Sequence, residues 1–158
     1  LKLRVVLEPR ALVSTTDFPP GSEYVIMLYN LYGLHSGPGP KANKDFIETT
    51  LERMNLLPAD KTVAFATGVD VGQGDGTKRF LTEYQAKTLA EKSAAGPVRD
   101  NASQCLVFSY QDGNVTYQVW YADAITLRYW LALAKKQGYS SISLWRLGGN
   151  VQLNRVFD

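Results

Sequence analysis

The chain of 158 residues is 45% hydrophobic and 20% charged, which is the composition of one globular domain and excludes a disordered chain. Its formal net charge of +2 comes with no run of basic residues, so neither nucleic acid nor a membrane is expected as a partner. One cysteine, Cys105, excludes an intrachain disulfide, and one histidine, His35, gives no zinc signature, so neither a metal nor a cofactor is predicted.

The first elements predicted along the chain are two strands separated by a loop. Residues 3–8 alternate leucine and valine with arginine, and Pro9 ends this strand. Residues 11–22 contain two prolines and no periodicity, which predicts a loop. Residues 24–29 are then apolar on both faces, as in a strand of a parallel sheet that helices cover.

The carboxyl end of this second strand is the first candidate site. Alternation puts Met27 and Tyr29 on one face of the strand, and Asn30 follows at its end. A loop of glycines and prolines comes next and ends near Ala42. The same pattern also fits a core strand with one polar tip, and both interpretations stay open on these residues alone.

A helix and a third strand follow this loop. Asn43 is placed as the N-cap, Asp45 lies in the first turn, and apolar residues at helical spacing continue to Met54 before Pro58 closes the segment. The third strand is predicted over residues 63–67.

The glycine-rich run at 68–76 is similar in composition to a phosphate-binding loop, but it matches neither of the two common phosphate-binding motifs. GxGxxG needs a helix that opens on its last glycine, and a Walker loop needs Gly-Lys-Ser/Thr. Neither follows here, so the run is predicted to be a loop that leads into an inserted unit and not a nucleotide site.

The inserted unit is predicted to contain a helix and a hairpin. Thr82, with Gln85 three residues later, forms a capping box, and the helix that it starts runs to about Ala94. Strand-like runs over 105–110 and 115–120 flank Gln-Asp-Gly-Asn, and Asp-Gly between two strands is a strong hairpin signal.

A last helix and strand complete the predicted order. Asp123 is placed to cap the helix and Gly138 to end it. The strand over 141–145 puts Ser143 and Trp145 on one face. The whole order predicts an α/β fold in which helical crossovers connect parallel strands.

Four segments stand out in their order along the chain: Met-Leu-Tyr-Asn at 27–30, Ser-Gly-Pro-Gly-Pro-Lys-Ala at 36–42, Val-Trp-Tyr-Ala-Asp-Ala at 119–124, and Ile-Ser-Leu-Trp-Arg-Leu-Gly at 142–148. In this order they resemble the carboxy-terminal half of glycoside hydrolase family 18, the chitinase-like TIM barrels. The resemblance is nearest to the bacterial cell-wall and spore-cortex N-acetylglucosaminidase branch. The inserted helix and hairpin also stand where the family carries its insertion, after the seventh barrel strand.

The resemblance implies that the chain is half of a (β/α)8 TIM barrel, with strands that resemble barrel strands five to eight and a small α+β insertion before the last helix and strand. Barrel elements would occupy residues 1–68 and 123–158, and the insertion residues 69–122. Half a barrel leaves two strand edges exposed, so we expect either a complementing amino-terminal half-barrel or self-association into a homo-oligomer.

The resemblance also implies a site for N-acetylglucosamine-containing glycans, either chitin or peptidoglycan. In the family a glutamate protonates the glycosidic oxygen while the substrate's own N-acetyl oxygen attacks the anomeric carbon. The catalytic role that carries over to this chain is that of Tyr29, which would hydrogen-bond the acetamido oxygen. Asn30 would help to fix the amide, Met27 would line the pocket, and Trp145 would form the floor beneath the sugar.

Two departures from the family limit what the chain can do by itself. The Asp-x-x-Asp-x-Asp-x-Glu motif that supplies the general acid is absent from these residues, so the chain alone is expected not to hydrolyse a glycoside. Asn30 stands where the nearest branch more often has aspartate, which removes a charge from the site.

Three functional interpretations stay open: part of a family 18 hydrolase, a glycan-binding module of the chitolectin type that does not cleave, or a pairing module that contacts no sugar. Trp145 is expected to contact sugar and not to be a core residue. His35 is expected to be an ordinary loop residue, and Glu8 matches no family role. The resemblance predicts a secreted or cell-envelope protein of a bacterium, although the chain itself carries no signal peptide.

Overall fold

The computed structural model describes residues 3–33, 36–58, 60–73 and 78–157, with the side chain of Lys78 left out. The strands are β1 (Arg4–Leu7), β2 (Glu23–Met27), β3 (Lys61–Ala66), β4 (Val69–Gln73), β5 (Lys78–Leu81), β6 (Val98–Arg99), β7 (Leu106–Asp112), β8 (Val115–Tyr121) and β9 (Ile142–Trp145). The helices are α1 (Ala11–Ser14), α2 (Lys44–Arg53), α3 (Glu83–Ala90) and α4 (Ala124–Lys136), with short 3-10 helices at Met54–Leu56 and Leu153–Val156.

The first sheet contains β1, β2, β3 and β9 in that order, and its three pairings are all parallel. Parallel neighbours need crossover connections, which α2 supplies between β2 and β3 and α4 supplies before β9. Ile26 and Phe65 of the sheet pack with Leu51 and Trp130 of these helices in one core. The predicted α/β fold with parallel strands and helical crossovers is therefore confirmed.

The second sheet contains β5, β4, β8, β7 and β6 in that order, and its pairings are all antiparallel. It has its own smaller core, in which Ala86 of α3 packs with Val71, Phe108 and Val119. The hairpin predicted around Asp-Gly is confirmed as β7 and β8, whose two loop residues are Gly113 and Asn114.

The glycine-rich run was predicted to be a loop, and for its first half that prediction is wrong. Val69–Gln73 is strand β4, paired on both sides within the second sheet, while residues 74–76 lie outside the described part of the chain. Glycine is required at Gly72 because an added Cβ would lie 2.8 Å from Cβ of Pro38. A close approach by another segment therefore explains a residue that otherwise argues against a strand.

Helix starts are predicted well, whereas one loop and one helix end are not. Asn43 accepts from the N–H of Phe46, Thr82 forms the complete capping box, and Asp123 accepts from the N–H of Thr126. Residues 11–14 form the one-turn helix α1 and not loop, because the burial of Leu12 against the core fixes this turn. Helix α3 ends at Ala90, four residues before the predicted end.

An ion pair connects the second sheet to the start of α4. Nη2 of Arg99 lies 2.7 Å from Oδ2 of Asp123, and the hydroxyl of Thr126 donates to Oδ1 of the same carboxylate. Burial alone would raise the pKa of Asp123, but these hydrogen bonds outweigh burial and hold that pKa below its usual range. The carboxylate therefore stays charged while it caps the helix.

No helix within the described ranges is long and apolar enough to cross a membrane.

The core of the first sheet should depend strongly on Trp130. This residue is fully buried, its ring lies 5.8 Å from that of Phe65, and its indole N–H donates to the carbonyl of Ser103 at 2.9 Å. We expect Trp130→Ala to lower the free energy of unfolding by about 3–5 kcal/mol in urea titrations, because it leaves a cavity. Ile125→Ala, on the exposed side of the same helix, is the control and should change it little. Equal effects of the two substitutions would contradict this assignment of the core.

Candidate functional site

The predicted site residues lie where the strands of the first sheet end. Strand β2 ends at Met27, and the chain continues through Tyr29 to Asn30. The register places Met27 and Ser143 in one row, on either side of Ala64, and pairs Ala66 with Trp145. Neighbours in one row of a sheet point to the same side, so Met27 and Trp145 belong to one face at one end of the sheet.

Asn30 has a left-handed backbone and an exposed side chain. Its φ of +66° lies in a region that L-residues other than asparagine and aspartate rarely adopt. The chain turns here, directly after the strand, and the N–H of Leu31 donates to the carbonyl of Lys41 on the returning loop. An amide at position 30 therefore suits the turn as well as any role toward a ligand.

Trp145 is 62% exposed at the carboxyl end of β9, so it does not belong to the core of the described part of the chain. The backbone around it is fixed by Thr67, whose N–H donates to the carbonyl of Trp145 and whose hydroxyl donates to that of Arg146. The peptide bond between Trp145 and Arg146 is cis. An indole held on a fixed backbone thus presents its surface to solvent.

Trp145 opens onto a hollow of about 660 Å³, which we call the Trp145 hollow. Tyr29 and Asn30 line it together with Trp145, whereas Met27 is half-buried lower in the sheet and is not among the described lining residues. The volume lies within the range of about 300–1,000 Å³ that small-molecule sites occupy. The remaining lining residues are Lys41, Ala66, Thr67, Gly68, Phe80, Leu81, Thr82, Gln85, Arg146, Leu147 and Gly148.

A second hollow of about 560 Å³ adjoins the first, and we call it the Glu8 hollow. Tyr29, Asn30 and Phe80 line both hollows, so these three residues form the boundary between them. The remaining lining residues of the Glu8 hollow are Glu8, Pro9, Arg10, Leu31, Gly33 and Phe46. The two hollows are therefore neighbouring candidate sites for one extended ligand.

Tyr29 is held in its protonated form. Burial raises the pKa of its phenol, and the negative charge of Glu8 raises that pKa further. Glu8 itself forms a surface ion pair with Arg10 at 2.7 Å. A phenol whose pKa is raised remains a hydrogen-bond donor at any physiological pH. The site can thus offer a neutral donor to a ligand oxygen.

Sequence reasoning missed a buried ion pair beside the Trp145 hollow. Nζ of Lys41 lies 2.8 Å from Oδ1 of Asp70, with Lys41 8% exposed and Asp70 fully buried. The same Nζ lies 4.7 Å from the ring centroid of Phe80. Sequence gives little signal for these three, because Asp70 falls in the glycine-rich run and their contacts join distant segments.

His35 lies outside the described residues. Within the described ranges, no group of three or more histidine, cysteine, aspartate or glutamate residues could hold a metal ion. Cys105 is buried, and burial raises the pKa of its thiol to about 12. It is therefore a protonated core residue and not a nucleophile.

Comparison with known sequences finds bacterial relatives of this chain. It is 28% identical over 128 residues to the uncharacterized glycosylase YvbX of Bacillus subtilis strain 168, a match that covers 78% of the chain and 37% of YvbX. It is 27% identical over 142 residues to the cortical fragment-lytic enzyme of the same organism, covering 80% of the chain and 31% of that enzyme. The chain thus spans about a third of the length of these curated relatives. No protein-family model matches the sequence.

Comparison with solved structures finds the same fold. A chitinase from Chromobacterium violaceum superposes with a TM-score of 0.82 at 20% identity, over 99% of this chain and 55% of the chitinase. The spore cortex-lytic enzyme SleL of Bacillus cereus superposes with a TM-score of 0.80 at 20% identity, over 98% of this chain and 40% of SleL.

Taken together, these matches cover nearly the whole chain but only part of each partner. The sequence relatives are a glycosylase and a cortical fragment-lytic enzyme, and the structural neighbours are a chitinase and the spore cortex-lytic enzyme SleL. The resemblance to the chitinase-like proteins of glycoside hydrolase family 18 that the sequence predicts is thereby confirmed.

Proposed function

We propose that this chain is the carboxy-terminal part of a family 18-like protein that acts on N-acetylglucosamine-containing glycans, and that the Trp145 hollow holds the sugar. One observation carries the proposal. Tyr29, Asn30 and Trp145 come from opposite ends of the sequence, match the family's motifs, and line the same hollow. The names of the relatives support a glycan of the cell wall or spore cortex, either peptidoglycan or chitin.

Each residue of the proposed site has a chemistry that suits an acetamido sugar. The neutral phenol of Tyr29 donates to the acetamido oxygen, and the amide of Asn30 helps to fix the same group. The indole of Trp145 offers an apolar face to the axial hydrogens of the pyranose ring. Met27, which shares the face of Trp145 but lies deeper, completes the apolar lining beneath the site.

In this proposal the parallel sheet is half of a TIM barrel, made of residues 1–68 and 123–158, and residues 69–122 are the inserted unit. The four-stranded order with β1 and β9 at its two sides supports this division. A complementing amino-terminal half-barrel, or a second copy of the chain, would pair with these edges. The resemblance to spore cortex-lytic enzymes supports a secreted or cell-envelope location.

The hydrolase and the glycan-binding module remain two candidate functions, and the missing acid motif is the observation that favours the second for the chain alone. Hydrolysis by the family's mechanism needs a protonating glutamate, and this chain has no residue that matches it. The hydrolase therefore requires that the acid come from the complementing half. A protein in which that position holds another residue would be a lectin.

The chain alone is expected to bind oligomers of N-acetylglucosamine without cleaving them. Binding is measured by titration calorimetry with the tetramer, and product formation by chromatography after prolonged incubation. Hydrolysis that copurifies with the chain and disappears in the Tyr29→Phe variant would contradict the prediction that the chain alone is inactive. Failure of the unmodified chain to bind the tetramer would contradict the proposed site.

Trp145→Ala is expected to weaken binding of the tetramer by about 1–3 kcal/mol, as judged from the apolar area that the indole offers. The melting temperature should change little, because the side chain is largely exposed. Phe157→Ala is the matched control, since Phe157 is 69% exposed but is not among the described residues that line either hollow. A large loss of stability with unchanged affinity would remove Trp145 from the site.

The exposed strand edges predict association in solution. We expect light scattering at micromolar concentration to give a mass above that of one chain, or to show a complex when an amino-terminal half-barrel is supplied. The physical reason is that the free backbone groups of β1 and β9 gain partners in either assembly. A monomeric mass with cooperative melting, and no binding to the other half, would count against the half-barrel.

A further inference from the structure

Phe80 is an exposed aromatic residue at the boundary of the two hollows. It lies on β5, the strand at one side of the second sheet, and it is 59% exposed. It lines both the Trp145 hollow and the Glu8 hollow. A ligand that extends from one hollow into the other must therefore pass this ring.

The ring of Phe80 is held from one side by the buried ion pair. Phe80 and Asp70 are direct partners across β4 and β5, so both side chains project from the same face of the second sheet. Lys41 reaches between them: its Nζ lies 2.8 Å from Asp70 and 4.7 Å from the ring centroid. An ammonium group over an aromatic face is attractive, and more so when the cation is desolvated.

Lys41 gives this arrangement its rigidity. Its side chain is almost fully buried, and its charge is fixed by a carboxylate that is buried as well. One face of the Phe80 ring meets the ammonium, and the exposed part of the ring faces the hollows. A ring whose orientation is fixed before binding loses less conformational entropy when a ligand packs on it.

We propose that Phe80 is a second sugar-stacking platform, held in orientation by the buried Lys41–Asp70 pair, so that the site takes an acetamido oligosaccharide that extends beyond the sugar on Trp145. The inference rests on the proposed function and adds to it that the ligand must be longer than one sugar. Phe80 contacts the glycan, whereas Lys41 and Asp70 are positioning residues that act through Phe80.

The test compares two exposed aromatic residues of the second sheet and its helix. Tyr84 on α3 is 66% exposed and is not among the described residues that line either hollow, so Tyr84→Ala is the matched control for Phe80→Ala. Affinities for the N-acetylglucosamine tetramer and for the monosaccharide are measured by titration calorimetry. We expect Phe80→Ala to lower the affinity for the tetramer about tenfold, which is the effect of partly burying one such ring. The affinity for the monosaccharide should stay unchanged. Tyr84→Ala should change neither affinity, and Phe80→Tyr should keep both.

The positioning role is tested by removing both charges together. Lys41→Met combined with Asp70→Leu avoids the uncompensated buried charge that either substitution alone would leave. We expect this pair of substitutions to lower the affinity for the tetramer. When Phe80→Ala is also present, the pair should lower that affinity no further. Circular dichroism and a thermal melt confirm that each variant is folded.

The outcomes separate this inference from the proposed function. If Trp145→Ala weakens the tetramer but Phe80→Ala does not, the second platform is wrong and the proposed function stands. If the unmodified chain does not bind the tetramer, the proposed function fails and the platform fails with it. If the charge substitutions and Phe80→Ala weaken binding additively, Lys41 does not act through Phe80.

Discussion

The arrangement of the candidate site depends on the buried ion pair between Lys41 and Asp70, because this contact joins the two sheets. Lys41 lies on the loop that follows β2, and Asp70 lies on β4, the strand next to the edge strand β5 of the second sheet. A buried ion pair of this kind contributes little net stability compared with apolar side chains of the same shape, but loss of one partner costs about 3–5 kcal/mol. The pair therefore fixes the position of the second sheet relative to the site more than it stabilises the fold.

The loop that carries Lys41 can approach the second sheet so closely because of its composition. Pro38 packs where a side chain at Gly72 would be, and the ring of Tyr32 occupies the place of a side chain at Gly39. These contacts are too short for any Cβ, so glycine is needed at both positions. The run of glycines and prolines between Ser36 and Ala42 thus has a packing role, apart from any contact with a ligand.

The site also divides its tasks between rigid scaffold and solvent-facing groups. Alternate residues of β2 and β3, such as Ile26 and Phe65, pack with the helices in the core. The residues between them point to the opposite face of the sheet, which is also the face of Trp145. Burial, together with the charge of Glu8, raises the pKa of Tyr29 and so keeps its phenol protonated. Chemistry at the strand ends is therefore separated from stability in the core, as is usual for sites at the carboxyl ends of parallel strands.

The sequence by itself determined the elements whose signals are local. The caps at Asn43, Thr82 and Asp123, and the end of the last strand at Trp145, follow from residue type and spacing over a few positions. Strand β2 is an exception, because it ends at Met27 and not at the predicted Tyr29. The tertiary structure alone decided that the glycine-rich run contains a strand paired on both sides, and that Lys41, Asp70 and Phe80 meet beside the hollow. The physical reason is that these contacts join segments far apart in the chain, and no local propensity or periodicity records which distant segment will fill the space above a glycine or neutralise a buried charge.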